Sequence, residues 1–117
     1  MPSRPYRSCS AFGERWDAAP EDMIVEAAYE AYADAGIDDP QRTIEAVFCG
    51  AVYPSRGTAE VAESLKLFGR PVSLVQNYCA TGTDAFRYGV LSIAAGLYDT
   101  VLVVGFDKPK DRGVSGP

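Results

Sequence analysis

A chain of 117 residues has room for one hydrophobic core, and 11 Lys and Arg against 16 Asp and Glu give it a formal net charge of −5. With 47% hydrophobic and 23% charged residues, the composition is that of a globular protein and excludes a disordered chain. The negative charge without a Lys/Arg run argues against nucleic acid, and the apolar run 101–104 is far too short to span a membrane.

Cysteine and histidine usage restricts the chemistry further. The three cysteines are Cys9, Cys49 and Cys79, and the N-terminus lacks the apolar core of a signal peptide. We therefore expect free thiols in a reducing cytoplasm rather than disulfides. The cysteine spacings match no zinc or iron-sulfur pattern and the chain has no histidine, so we predict no metal site.

The first half of the chain predicts a helix and a strand. Residues 1–17 show neither the apolar spacing of a helix nor the alternation of a strand, and they are expected to be irregular or a poor strand. Residues 21–35 carry apolar side chains at steps of three and four after Pro20, which predicts an amphipathic helix that Gly36 ends. The run 44–48 mixes β-branched and aromatic residues and predicts a strand.

The second half predicts two further helix and strand pairs before a polar tail at 107–117. A helix is expected from a cap at Thr58 to a stop at Gly69. The remaining predictions are a strand at 72–75, a helix at 81–95 and a strand at 101–104. This alternation favours right-handed crossovers and a parallel sheet, so residues 1–117 are expected to form one α/β domain with helices layered on a mainly parallel sheet.

The third predicted helix has a strip of small residues, Ala85, Gly89, Ser92 and Gly96, along one face. Two glycines in a surface helix would each cost about 1 kcal/mol relative to alanine, so chance is the weaker explanation. We expect a helix buried between layers. In a lone monomer this strip and the open sheet edges would be exposed, which predicts self-association or a required partner.

Cys79 lies where a predicted strand ends and this helix begins. The first-turn amides and the helix dipole favour a thiolate there and could also hold a developing oxyanion, so Cys79 is a candidate nucleophile. The alternative is that Cys79 only fills space, which is the favoured interpretation for Cys9 and Cys49. Asp84, in the first helical turn, is expected to support the helix electrostatically.

The sequence NYCATGTDA at 77–85, followed by DTVLVVGFD at 99–107, resembles the nucleophile region of the thiolase superfamily. The likeness is to its sterol-carrier-protein thiolase and acetyl-CoA acetyltransferase branch. Upstream, AFGE at 11–14, DAGI at 34–37 and the segment 44–50 resemble that branch's opening elements in the same order.

This resemblance implies that Cys79 accepts an acyl group from a coenzyme A thioester, which is a substrate rather than a permanently bound cofactor. The acyl group would then pass to a carbon nucleophile, or the condensation would run in reverse. Residues 73–77 would pair with a second copy or a homologous subunit, and the third helix would lie in the middle of a layered subunit. The family's basic histidine and second cysteine have no counterpart here, because the chain corresponds only to the opening half of the first of two similar domains.

Two interpretations of function follow. The chain is expected to be the N-terminal part of a thiolase-like acyltransferase that needs a missing segment or a partner subunit for activity. Alternatively, it is a non-catalytic subunit that stabilises or regulates a homologous thiolase. An unrelated cysteine hydrolase or a small α/β binding protein is less favoured, because the sequence has no G-x-S-x-G elbow, G-x-G-x-x-G fingerprint or P-loop.

Overall fold

The structure is a computed structural model that describes residues 19–53 and 56–107, without the side chain of Pro20. Cys9, the predictions for residues 1–17 and the tail beyond Asp107 lie outside the described residues. Within the described part of the chain, no helix combines the length and hydrophobicity that a membrane span needs.

The first elements are α1 (Pro20–Ala35), α2 (Pro40–Thr43) and β1 (Ala46–Gly50). The predicted end of α1 is confirmed: Gly36 has a left-handed φ of 74°, and the next amide, of Ile37, donates to the Tyr32 carbonyl at 2.9 Å. The one-turn helix α2 was not predicted, because its four residues are too few to show a periodicity.

The second half contains α3 (Ala59–Leu65), β2 (Val72–Val75), a 3₁₀ turn (Tyr78–Ala80), α4 (Thr81–Ala94) and β3 (Val101–Gly105). The expectation that α3 continues towards Gly69 was wrong, since Lys66 takes a left-handed φ of 56° and ends the helix. Thr58 does precede α3, but its side chain makes no capping hydrogen bond.

The predicted parallel sheet is confirmed. Its strand order is β2-β1-β3, and β1 pairs in parallel with both neighbours. Because β1 is central, Val47 and Cys49 are fully buried, whereas β2 is an edge strand among the described residues and exposes Ser73 and Leu74. The carboxyl ends of all three strands therefore lie along one edge of the sheet.

Helices cover both faces of the sheet. On one face, α1 and α3 pack over the alternate strand residues that point towards them and form the main core. Its fully or nearly buried members are Ile24, Ala28, Tyr32, Ile44, Val47, Cys49, Val61, Leu65, Leu67, Leu102 and Val104. On the other face lies α4 alone, where a Cβ added to Gly89 would come within 2.7 Å of Val103 Cγ2. The close approach of α4 to the sheet therefore requires glycine at this position.

The expected exposure of the small-residue strip is corrected by this packing. Ala85, Gly89 and Ser92 are buried against the chain's own sheet, whereas Gly96 lies beyond the helix and is exposed. The opposite face of α4 is the uncovered one. It exposes large apolar side chains, namely Phe86, Val90 and Leu91, with Leu97 just beyond the helix. The strip thus joins the helix to the sheet, and the side of α4 that no described residue covers is rich in large apolar side chains, with Arg87 among them.

Candidate functional site

The candidate site lies at the edge of the sheet where the strands end. Cys79 is exposed and sits in the 3₁₀ turn Tyr78–Ala80, which follows β2 and leads directly into α4. This is the strand-to-helix junction at which open parallel sheets place ligands. The predicted location of Cys79 is therefore the observed one, with the 3₁₀ turn inserted between strand and helix.

Hydrogen bonds through Thr81 fix the turn that carries Cys79. The Asn77 amide donates to Thr81 Oγ1 at 2.7 Å, and the Thr81 hydroxyl donates to the Tyr78 carbonyl at 2.6 Å. The Ala80 amide donates to the Asn77 carbonyl at 2.9 Å. Thr81 is itself buried, so its side chain anchors the two residues that precede the cysteine.

Tyr78, the residue before Cys79, has an unusual backbone conformation. Its φ is 43°, in the left-handed region that non-glycine residues seldom adopt, and its side chain is 83% exposed. Such a conformation costs about 1 to 3 kcal/mol and persists where the surroundings enforce it. The bonds of Thr81 provide that enforcement and hold the adjoining cysteine at the surface.

Gly50, the last residue of β1, lets the Cys79 turn approach the sheet. A Cβ on Gly50 would lie 2.8 Å from Thr81 Cγ2 and 3.1 Å from the Thr81 carbonyl oxygen. The first distance is shorter than real Cβ contacts and the second is tight, so a side chain at this position would force Thr81 to shift. Gly50 is therefore part of the support for Cys79.

Asp84 lies one helical turn beyond Cys79. Its carboxylate pairs with Arg87 at 3.2 Å, and the Arg87 guanidinium lies 5.0 Å from the centre of the Tyr88 ring. Asp84 also lines an open groove of about 400 Å³ between α4 and β2, together with Phe48, Ser73, Leu74, Val75, Gln76 and Tyr88. An acidic residue in the first turn fits the predicted electrostatic support of the helix.

Cys49 is unsuited to nucleophilic chemistry. It is fully buried in β1, and its thiol donates to the Ser73 carbonyl at 3.3 Å. Burial raises the pKa of Cys49 to about 11, and the neighbouring charge of Glu60 acts in the same direction. The structure thus agrees with the prediction that Cys49 fills space.

No group of three or more His, Cys, Asp and Glu side chains within residues 19–53 and 56–107 could hold a metal ion. Because the chain has no histidine, Cys79 also has no imidazole base from its own sequence. What the site offers chemically is one exposed sulfur atom on a rigid turn at a helix N-terminus. This arrangement suits nucleophilic attack, provided that a base from elsewhere accepts the thiol proton.

Sequence reasoning did not assign roles to Gly50, Thr81 and Tyr78. A glycine as the last residue of a strand was a usable signal, since it marks a close approach of another segment. The left-handed φ of Tyr78 had no signal, because aromatic residues rarely adopt it.

The chain resembles several curated proteins over most of its length. It is 31% identical over 110 residues to acetyl-CoA acetyltransferase of Methanothermobacter thermautotrophicus, covering 89% of this chain and 28% of that protein. It is 34% identical over 106 residues to acetyl-CoA acetyltransferase of Methanocaldococcus jannaschii, covering 86% of this chain and 26% of that protein. It is 39% identical over 97 residues to sterol carrier protein 2 of Oryctolagus cuniculus, covering 81% of this chain and 17% of that protein. No family profile matches the chain.

Among solved structures, 3-oxoacyl-[acyl-carrier-protein] synthase III from Aquifex aeolicus superposes with a TM-score of 0.68 at 22% identity. The match covers 81% of this chain and 32% of that one, and it shows a shared fold. In the sequence comparisons, the chain spans about a quarter of the length of the two acetyltransferases that it matches. By homology over most of its length and by fold, this chain is a thiolase-like segment related to the acetyl-CoA acetyltransferases and sterol carrier protein 2.

Proposed function

We propose that this chain is the N-terminal part of a thiolase-like acyl-CoA acyltransferase and that Cys79 accepts the acyl group. The observation that carries the proposal is an exposed cysteine on a rigid turn between β2 and α4, within a chain homologous to acetyl-CoA acetyltransferases. A reducing cytoplasmic setting is part of the proposal, because an exposed thiol must stay reduced to act.

The proposed first step is a transfer between two thiols. The thiolate of Cys79 attacks the carbonyl carbon of acetyl-CoA, and a carbon–sulfur bond forms at the cysteine. The bond to the sulfur of coenzyme A breaks, and coenzyme A leaves as a thiolate that takes up a proton. No electrons are gained or lost overall, so the coenzyme A thioester is a substrate, coenzyme A is a product, and no permanently bound cofactor is required.

A base must accept the proton of the Cys79 thiol, and this chain has no histidine that could do so. We propose that further segments, in the same polypeptide or in a homologous partner subunit, supply this base and the rest of the acyl-CoA pocket. The uncovered surfaces of the chain support the need for them. Within the part of the chain that the structure describes, the outer face of α4 exposes Phe86, Val90 and Leu91, and no strand pairs with the outer edge of β2.

Coenzyme A release tests the proposal. The chain is co-expressed with the portion of the M. thermautotrophicus acetyltransferase that lies outside the 110 matched residues, and free coenzyme A thiol is measured after addition of acetyl-CoA. We expect release that Cys79→Ala abolishes and Cys49→Ala retains, because Cys79 is exposed and Cys49 is buried. Equal release by both variants, or none from a complex that has formed, would contradict the proposal.

A non-catalytic subunit is the second candidate, and the absence of histidine favours it. In that case the chain binds a homologous thiolase through the same uncovered surfaces. A complex that forms without any Cys79-dependent coenzyme A release is the outcome that this candidate predicts.

Association itself is a separate prediction, with a second copy or a homologous subunit as the partner. We expect the purified chain to sediment as a dimer or larger species, because burying the outer face of α4 removes apolar surface from water. Leu91→Lys should weaken the association, whereas Ala33→Lys, also at an exposed helical position, should not. A monomer that unfolds in one cooperative transition would contradict this expectation.

A further inference from the structure

Two carboxylates bracket the pair formed by β1 and β3. At the edge where these strands begin, Glu45 Oε1 accepts hydrogen bonds from the amides of Asp99 at 2.8 Å and Thr100 at 3.1 Å. At the edge where they end, Asp107 accepts from the amides of Val52 at 2.8 Å and Tyr53 at 2.7 Å, one on each carboxylate oxygen. Each carboxylate thus ties the segment just outside one strand to the segment just outside the other.

Asp107 acts at the edge that carries Cys79. The segment that it holds, residues 52–53, directly follows β1 and lies between the ends of the other two strands. There the Ala51 amide donates to the Val75 carbonyl at 3.4 Å, and the Phe106 amide donates to the Gly50 carbonyl at 3.0 Å. The segments leaving all three strands are thus hydrogen-bonded to one another.

The contact between Gly50 and Thr81 extends this network to the cysteine. Gly50 packs so closely against Thr81 that no side chain fits between them, and Thr81 bonds both the Asn77 amide and the Tyr78 carbonyl. A continuous series of contacts therefore runs from Asp107 through the end of β1 to the turn containing Cys79.

We propose that Asp107 is a positioning residue for Cys79. Its carboxylate fixes residues 52–53, which holds the end of β1 in the position where Gly50 supports Thr81. Two charge-assisted hydrogen bonds to neighbouring amides make a strong restraint, because removing the acceptor leaves both amides to find other partners. The role of this restraint in acyl transfer rests on the function proposed for Cys79, whereas the restraint itself does not.

Amide hydrogen exchange in the 117-residue chain, followed by NMR, tests the inference directly. In Asp107→Ala we expect the amides of Val52, Tyr53, Asn77 and Ala80 to exchange at least about tenfold faster than in the unsubstituted protein. Asp107→Asn keeps one acceptor oxygen in the same shape and should restore part of the protection. Glu45→Ala is the matched control, since it removes an equivalent carboxylate at the far edge and should accelerate only the amides of Asp99 and Thr100.

The inference is overturned if Asn77 and Ala80 exchange at unchanged rates in both Asp107 variants. It is also overturned if Glu45→Ala accelerates them equally, because the effect would then be one of general stability. Where the assembled protein releases coenzyme A, Asp107→Ala should slow that release at least about tenfold and Asp107→Asn less so. If even the unsubstituted protein releases none, the proposed function fails while the exchange data still decide the role of Asp107.

Discussion

Cys49 and Cys79 lie near the same edge of the sheet, yet they differ in exposure and in the elements that surround them. Cys49 is inside the central strand, with no exposed surface and its thiol bonded to the Ser73 carbonyl. Cys79 is exposed on a turn at the start of a helix. One thiol is enclosed by α1, α3 and the sheet, and the other faces outwards.

The comparison shows that the position of each cysteine in the fold decides whether its thiol is accessible from solvent. In β1, the alternation of side chains directs Cys49 into the main core, where burial favours the neutral thiol. In the turn after β2, the left-handed Tyr78 and the anchored Thr81 hold Cys79 at the surface. The same residue type is therefore buried in the core in one place and exposed to solvent in the other.

The largest expected difference is in alkylation by iodoacetamide. At pH 8, a thiol with a pKa of about 11 is ionised in only about one molecule in a thousand, and Cys49 is also shielded from reagent. We expect Cys79 to react at least about a hundredfold faster than Cys49, and faster than Cys9, as measured by peptide mapping of the assembled protein. Equal rates for Cys79 and Cys49 would contradict the comparison.

The next largest expected effect is a pH dependence of the free energy of unfolding, caused by the ionisation of Cys49. Because burial raises its pKa from 9.0 to about 11, the unfolded chain loses this proton first as the pH rises. The free energy of unfolding should therefore be unaffected by this group below pH 9 and fall by about 2 to 3 kcal/mol between pH 9 and pH 11.

The measurement is chemical denaturation across this range for the unsubstituted protein and for Cys49→Ala. Tyr32 acts in an overlapping range, because burial raises its pKa to about 12, so the difference between the two proteins is the relevant quantity. Parallel pH profiles for the two proteins would show that Cys49 is not buried as described.

A smaller effect is expected from methyl groups placed on either side of the Cys79 turn. Gly50→Ala sets a Cβ against Thr81 and should lower the free energy of unfolding by about 1 to 3 kcal/mol. It should also change the alkylation rate of Cys79. Gly82→Ala is the matched control, because a Cβ there meets nothing within 4 Å and alanine favours the helix by up to about 1 kcal/mol. Equal stability in the two variants would contradict the close contact at Gly50.

Much of the fold was predictable from the sequence because its signals are local. The apolar spacing and Gly36 defined α1, and the alternation of helices and strands implied a parallel sheet. The junction that carries Cys79 was predictable for the same reason, since it lies between a recognisable strand and a recognisable helix.

The rest depended on contacts between distant parts of the chain. A strip of small residues shows that α4 packs closely on something, but the sequence does not say whether that is the chain's own sheet or another layer. The same limitation applies to Asp107, whose carboxylate bonds amides 54 and 55 positions away. The support of Cys79 by Gly50 and Thr81 likewise appears only once β1 and α4 are packed together.

The acylation of Cys79 is tested most directly by mass spectrometry of the assembled protein after incubation with acetyl-CoA, with peptide mapping of each cysteine. The account predicts one acetyl group on the peptide containing Cys79, removable by hydroxylamine as expected for a thioester, and none on the peptide containing Cys49. An unmodified Cys79 in a protein that has its partner bound, or an acetyl group on Cys49, would contradict it.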